Sequence, residues 1–258
     1  HMETSVFEPK IGISNEDFMK KGYYIGNISE IIENVGEFEK LKNVFIENNK
    51  NEKGRFRYRY EYTNFTPLVY NHQIKVEEIE ERRKLIEENG YKTIQKWYEF
   101  CSQFQDDYID VVSVIKSSIN KFIPKIYPDL ENRMNFTESI TLYENGDFIE
   151  PHIDHVSEER YCVVLLYLSD EQNYNDGGAE LLVGVGDQNE LVKPLFGTYV
   201  ILDFKENGVL HAVEETKNNF QRFTYINFIS IKSDEQIQRE LEEGLEKIRE
   251  TNLKNENK

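Results

Sequence analysis

Cysteine is scarce in this 258-residue chain: two residues, Cys101 and Cys162, both in apolar surroundings. That fits a reducing, cytoplasmic setting better than a disulfide framework. Proline is also sparse at six residues, and no Pro/Gly/Ser-rich linker or internal repeat divides the sequence. There is no run of eighteen apolar residues, so a membrane-spanning helix is not expected. No secretory signal is visible at the start, and His1-Met2 reads as a tag remnant, so His1 is left out of any site. Positive charge is short: 31 Lys and Arg against 48 Asp and Glu leave a net charge of −17. Nucleic acid is therefore not an expected partner, since its binding needs a basic footprint. A local exception is Arg55-Phe56-Arg57-Tyr58-Arg59-Tyr60-Glu61-Tyr62, which as a strand would set arginines on one face and aromatics on the other. It reads as an edge strand with solvated arginines, or alternatively as a rim guiding a substrate.

What is present is a hydrophobic content of 38% with 13% aromatics, enough for a sizeable core in one domain. Residues 14–48 read as a short helix over 14–20, a strand and a further helix. Residues 74–122 read as mostly helical, from the spacing of Ile74, Ile79, Leu85 and Ile86, then Ile94, Trp97, Tyr98 and Cys101, then Val111, Val112, Ile115 and Ile119, ending near Pro124. From Asn135 the texture changes to short β-type runs: 137–143, 148–154, 161–168, 179–184, 190–194, 198–204, 209–215 and 222–231. Ser233 and Gln236 have capping-box spacing, and Ile237, Leu241, Leu245 and Ile248 form one stripe. That tail is expected to pack on its own domain, with dimerisation as the alternative. Boundaries are thus 1–134 for a mixed helical region, 135–232 for the β core and 233–258 for the terminal helix, all within one domain.

Chemistry concentrates in Tyr143-Glu144-Asn145-Gly146-Asp147-Phe148-Ile149-Glu150-Pro151-His152-Ile153-Asp154. Side chains two apart on a strand share a face, so His152 and Asp154 can address one metal ion. His211 lies in a second strand-like run, Gly208-Val209-Leu210-His211-Ala212-Val213. Two histidines and a carboxylate on one side of a metal form the facial triad of non-haem iron(II) oxygenases. Each histidine alone could instead be a hydrogen-bonded core residue. Arg222 follows eleven residues after His211 and opens the apolar run Arg222-Phe223-Thr224-Tyr225-Ile226-Asn227-Phe228-Ile229, where a buried guanidinium can hold a carboxylate through two parallel hydrogen bonds. Asp176-Gly177-Gly178-Ala179-Glu180-Leu181 reads as a turn into another strand.

In order and spacing these pieces resemble the iron(II)- and 2-oxoglutarate-dependent oxygenases, in their prolyl 4-hydroxylase-like branch. The resemblance runs from about Glu138 to Ile231, with a further match at Phe18-Met19-Lys20-Lys21-Gly22-Tyr23-Tyr24. It implies an α+β fold: a double-stranded β-helix, or jelly roll, of eight strands, supported by N-terminal helices and followed by a C-terminal helix. It implies Fe(2+) held by His152, Asp154 and His211, 2-oxoglutarate anchored by Arg222, O2 as oxidant and ascorbate as a supportive reductant. Thr224 shares a strand face with Arg222 and can donate to the same carboxylate. Tyr167 and Tyr143 match tyrosines that lie at the co-substrate in relatives; core packing is the alternative for both. Several members of the branch carry Lys in place of Arg222, although Arg serves elsewhere in the family. A carboxylate at Asp154 favours hydroxylation, because halogenating relatives place a small residue there. His155 is expected at the surface or behind the ligands, and His72 in a loop. The implied reaction hydroxylates a prolyl or other residue of a protein or peptide, with succinate and CO2 as co-products. The alternatives are the same chemistry on a free amino acid or metabolite, and a metal-holding jelly-roll module without turnover.

Overall fold

The computed structural model describes residues 6–49, 56–64, 93–100, 105–154, 158–184 and 189–258. Helix α1 (Asn15–Lys21) begins where the Ser14 hydroxyl accepts a bond from the Asp17 amide and ends at Gly22, whose φ of 84° suits a residue without Cβ. Strand β1 (Tyr23–Asn27) follows, then α2 (Val35–Asn49), β2 (Phe56–Asn64), β3 (Thr93–Phe100) and α3 (Gln105–Ile126). The remaining strands are β4 (Met134–Tyr143), β5 (Phe148–His152), β6 (Arg160–Tyr167), β7 (Leu181–Val183), β8 (Glu190–Val192), β9 (Thr198–Asp203), β10 (His211–Val213) and β11 (Arg222–Ile231), before α4 (Asp234–Glu256). Each of the eight β-type runs expected after Asn135 contains a strand.

All pairings are antiparallel, in the order β1-β9-β6-β11-β4-β3-β5-β10-β7-β8, with β2 joined to β3. This is an α+β jelly roll: β9-β6-β11-β4 form the larger layer, and β5-β10-β7-β8 the smaller. Alternation along the strands builds two cores. Cys162, Val164 and Leu166 of β6, Tyr199 and Ile201 of β9, and Phe223, Tyr225 and Ile229 of β11 face outward. There they meet Phe18, Phe38 and the α3 stripe Ile115, Ile119, Phe122, Ile123 and Ile126. Val163, Leu165 and Tyr167, with Val200 and Leu202, face inward and pack with Leu181, Val183 and Val213 of the smaller layer. Strands covered on both faces read as near-continuous apolar runs, as 161–168 does. Each large side chain so buried contributes about 1.5–3 kcal/mol.

Lys42 is buried in the outer core, where its ammonium pairs with Asp170 and lies 4.2 Å above the Phe196 ring. This contact ties α2 to the turn after β6.

Two expectations change. The stripe Ile94, Trp97, Tyr98 and Cys101 does not mark a helix; Thr93–Phe100 is β3. Over eight residues a helical stripe and an alternating strand place many of the same side chains, and Thr, Ile, Trp, Tyr and Phe favour the strand. Pairing with β2, β4 and β5 decides the outcome. The second change is α4, which buries none of its residues instead of packing on its own domain. His72, Cys101, His155, Arg55 and the helical run expected over 74–92 lie outside the described residues. Among the described residues no helix is long and apolar enough to cross a membrane.

Candidate metal and dicarboxylate site

Strand register assembles the site. His152, the last residue of β5, lies opposite His211, the first of β10. Facing residues on neighbouring strands project to the same side, so the two imidazoles meet with ring centroids 4.3 Å apart. Asp154 follows two residues after His152 and turns back between them. One of its carboxylate oxygens is 3.2 Å from His152 Nε2 and the other 3.5 Å from His211 Nε2. All three ligand atoms lie within 4.8 Å of one another. Ligands about 2.1 Å from one ion sit about 3 Å apart in adjacent positions, so the group fits a common metal with little adjustment. His211 Nδ1 is 2.9 Å from the Val209 carbonyl. As donor there, it fixes the tautomer that leaves the Nε2 lone pair for a metal. Burial works against ionisation of Asp154, but His211 and His152 hold its carboxyl well below the usual value. Burial likewise pushes His211 down, and Asp154 outweighs it and raises the imidazole. A divalent cation would replace the protons behind that attraction.

The cationic end is built by β11. Arg222 lies opposite Tyr143 of β4, and Thr224 opposite Tyr167 of β6. The guanidinium carbon is 5.0 Å from the Tyr143 ring centroid and 5.2 Å from that of Tyr167. Two flanking π-faces hold the cation in place. Arg222 Nε donates to the Ala179 carbonyl at 3.0 Å, and Nη1 donates to the Thr224 hydroxyl at 3.0 Å. No carboxylate among the described residues pairs with this buried cation. Thr224 accepts from Arg222, so its own proton is available to an incoming acceptor. Tyr167 is wholly buried, and among the described residues its hydroxyl has no partner beyond the neighbouring Arg222 guanidinium. Burial raises the pKa of that hydroxyl, and the neighbouring guanidinium opposes the rise.

A cavity of about 120 Å³ contains both ends. His152, Asp154 and His211 line it together with Tyr143, Arg222 and Thr224, while Val163, Leu202, Ile226 and Phe228 give apolar walls. Two larger surface clefts, about 400 and 480 Å³, lie against residues 6–9 and α3 and hold no such ligand set. Sequence reasoning missed Thr141, whose buried hydroxyl lacks a partner among the described residues and whose backbone lies opposite Thr224. A lone Thr in an apolar run gives no signal until the strand register is known. It also missed the Ala179 carbonyl.

That carbonyl depends on the Gly177-Gly178 turn. Gly178 has a φ of +62°, and a Cβ there would run into the Glu215 carbonyl oxygen. Ala179 follows with a φ of 55°, donates its amide to that oxygen and turns its own carbonyl to Arg222. Gly178→Ala is expected to cost at least about 1–3 kcal/mol from backbone strain and to loosen Arg222. Thermal denaturation checks the first effect and 2-oxoglutarate affinity the second. An unchanged Tm would mean that the turn gives way freely.

Residues 139–230 match the family model described as the 2OG-Fe(II) oxygenase superfamily. No curated protein matches the sequence. Similar solved structures include a prolyl-4-hydroxylase from Pseudomonas putida, at 14% identity and TM-score 0.52, covering 85% of this chain and 97% of that one. A prolyl hydroxylase from Trichoplax adhaerens, in complex with a hypoxia inducible factor oxygen degradation domain peptide fragment, shows 14% identity and TM-score 0.54 over 87% of this chain and 90% of its own. A 2OG-Fe(II) oxygenase family oxidoreductase from Burkholderia pseudomallei shows 12% identity and TM-score 0.50, covering 86% and 95%. At these identities the likeness is one of fold. The matched segment includes His152, Asp154, His211 and Arg222.

Proposed function

We propose, because residues 139–230 match the family model of the 2OG-Fe(II) oxygenase superfamily, that this protein hydroxylates a residue, prolyl or other, within a protein or peptide. The family implies Fe(2+), 2-oxoglutarate and O2, and the His152, Asp154 and His211 group fits iron. The observation that carries the reading is a triad sharing one cavity with a buried arginine that has no carboxylate among its described partners. A buried guanidinium is costly without an anion, so the cavity is built for a molecule with an acid at each end.

In this reading His152, Asp154 and His211 would hold iron(II). Bound iron supplies the redox chemistry: 2-oxoglutarate and O2 become succinate and CO2, and one oxygen atom enters a substrate C–H bond. The Arg222 guanidinium and the Thr224 hydroxyl would donate to the distal carboxylate, with Tyr167 and Thr141 as further donors. Val163, Leu202, Ile226 and Phe228 keep that end dry, which strengthens each charged contact. A polypeptide substrate is supported by the fold shared with a peptide-bound prolyl hydroxylase. It is supported too by β2 and β3, which extend the sheet beside β5, the strand carrying His152.

The experiment is a mass-spectrometric screen of proteins, peptides and free amino acids incubated with the iron-loaded protein, 2-oxoglutarate and O2. A peptide gaining one oxygen atom is expected. A gain confined to free amino acids or metabolites would overturn the polypeptide assignment and keep the chemistry.

A further inference from the structure

Helix α4 stands out because it hides nothing. Its 23 residues span about 34 Å, and none is buried. Leu241, Leu245 and Ile248 are 58%, 54% and 57% exposed, on one stripe that begins at half-buried Ile237. Solvent-facing helices are ordinarily polar at such positions, and this one is well formed from its Ser233 cap onward. An apolar stripe of that length calls for a cover.

The charges beside the stripe identify one. At about 100° per residue, Glu240 and Lys247 fall on one flank of the stripe, and Glu242 and Arg249 on the other. When two copies of a helix pair antiparallel about a twofold axis, each flank meets its own counterpart. Glu240 then faces Lys247 of the partner subunit, and Glu242 faces Arg249 of the partner subunit, each twice by symmetry. A parallel pair would instead join opposite flanks at equal height. Glu240 would meet Glu242 of the partner subunit, and Lys247 would meet Arg249 of the partner subunit. Ends of the helix agree with the antiparallel choice. Residues 234–246 carry six acids and one base, and residues 247–258 four bases and two acids. At the centre, Gly244 has open space where a Cβ would be. In the antiparallel register Leu245 packs over Gly244 of the partner subunit, and Leu241 lies beside Ile248 of the partner subunit.

We infer that α4 is a self-association surface whose partner is a second copy of this chain, paired antiparallel through the 237–248 stripe. One helix pair lies at the small end of stable interfaces, so the dimer forms in a concentration-dependent way. No residue of the 2-oxoglutarate site belongs to α4, so activity at low protein concentration does not require the pairing.

Sedimentation equilibrium on the full chain, at concentrations up to about 100 µM, is the test. A reversible dimer is expected. Glu242→Arg should weaken it at least about tenfold, by setting two arginines against each other on both symmetric contacts. Adding Arg249→Glu to that variant should restore the wild-type association, because the swap returns opposite charges to the antiparallel contact. Leu245→Glu should abolish the dimer while circular dichroism shows the helix content retained. A monomeric wild type at the highest concentration would overturn the inference. So would a dimer indifferent to Leu245→Glu, or one strengthened by Glu242→Arg, as a parallel pair would be.

Discussion

Asp154→Ala is expected to reduce succinate formation from 2-oxoglutarate by at least about 10²-fold, since removing a group merely behind a metal ligand already costs up to about that much. Asp154 is the one anionic group of the triad, and its two oxygens address both histidines. Its loss leaves two neutral imidazoles, which hold a divalent cation weakly and give it no charge compensation. The fold should persist. Asp154 makes no part of either hydrophobic core. Succinate assays with iron saturating, beside iron affinity and Tm, separate these effects. Full succinate production by the variant would refute the triad.

Arg222→Ala should raise the 2-oxoglutarate requirement about 10²-fold or more. Removing one side of a buried charge pair costs about 2–5 kcal/mol, and the abandoned carboxylate bears most of it. Metal affinity should hardly change, because His152 and Asp154 come from β5 and its following turn, and His211 from β10. Arg222→Lys should be intermediate, roughly tenfold. The ammonium keeps its charge between Tyr143 and Tyr167 but cannot serve Ala179, Thr224 and a ligand with one planar fork. Pyruvate, which has no second carboxylate, should not substitute for 2-oxoglutarate. Apparent 2-oxoglutarate affinity at saturating iron is the readout. An unchanged value in Arg222→Ala would place the co-substrate elsewhere.

Much of the β core was legible before the structure, because strands buried on both faces carry continuous apolar runs with turn residues between them. His152 and Asp154 were legible as a pair through strand periodicity. Their meeting with His211 depended on register: β5 and β10 must align so that His211 faces His152, and 58 residues separate the two in sequence. Resemblance supplied that link; periodicity could not. Nothing in local sequence marks Thr141 or the Ala179 carbonyl, since a hydroxyl or a backbone oxygen acquires a role only from what faces it. β3 was misread because eight residues are too few to separate a period of 3.6 from one of 2. The α4 stripe was read correctly as apolar, but a stripe alone does not say what covers it. The exposure of Leu241, Leu245 and Ile248 shows that the described part of the same chain does not.

The central claim is that one cavity binds iron at His152, Asp154 and His211 and 2-oxoglutarate at Arg222, and turns the latter over. The most direct measurement is succinate release by the iron-loaded protein under O2, with 2-oxoglutarate as the only organic substrate, beside Asp154→Ala and Arg222→Ala. Slow, iron-dependent succinate formation is expected from the wild type, close to none from Asp154→Ala, and recovery of Arg222→Ala only at much higher 2-oxoglutarate. A wild type that binds iron at the triad yet forms no succinate, with or without candidate peptides, would contradict the claim and leave a metal-holding jelly roll.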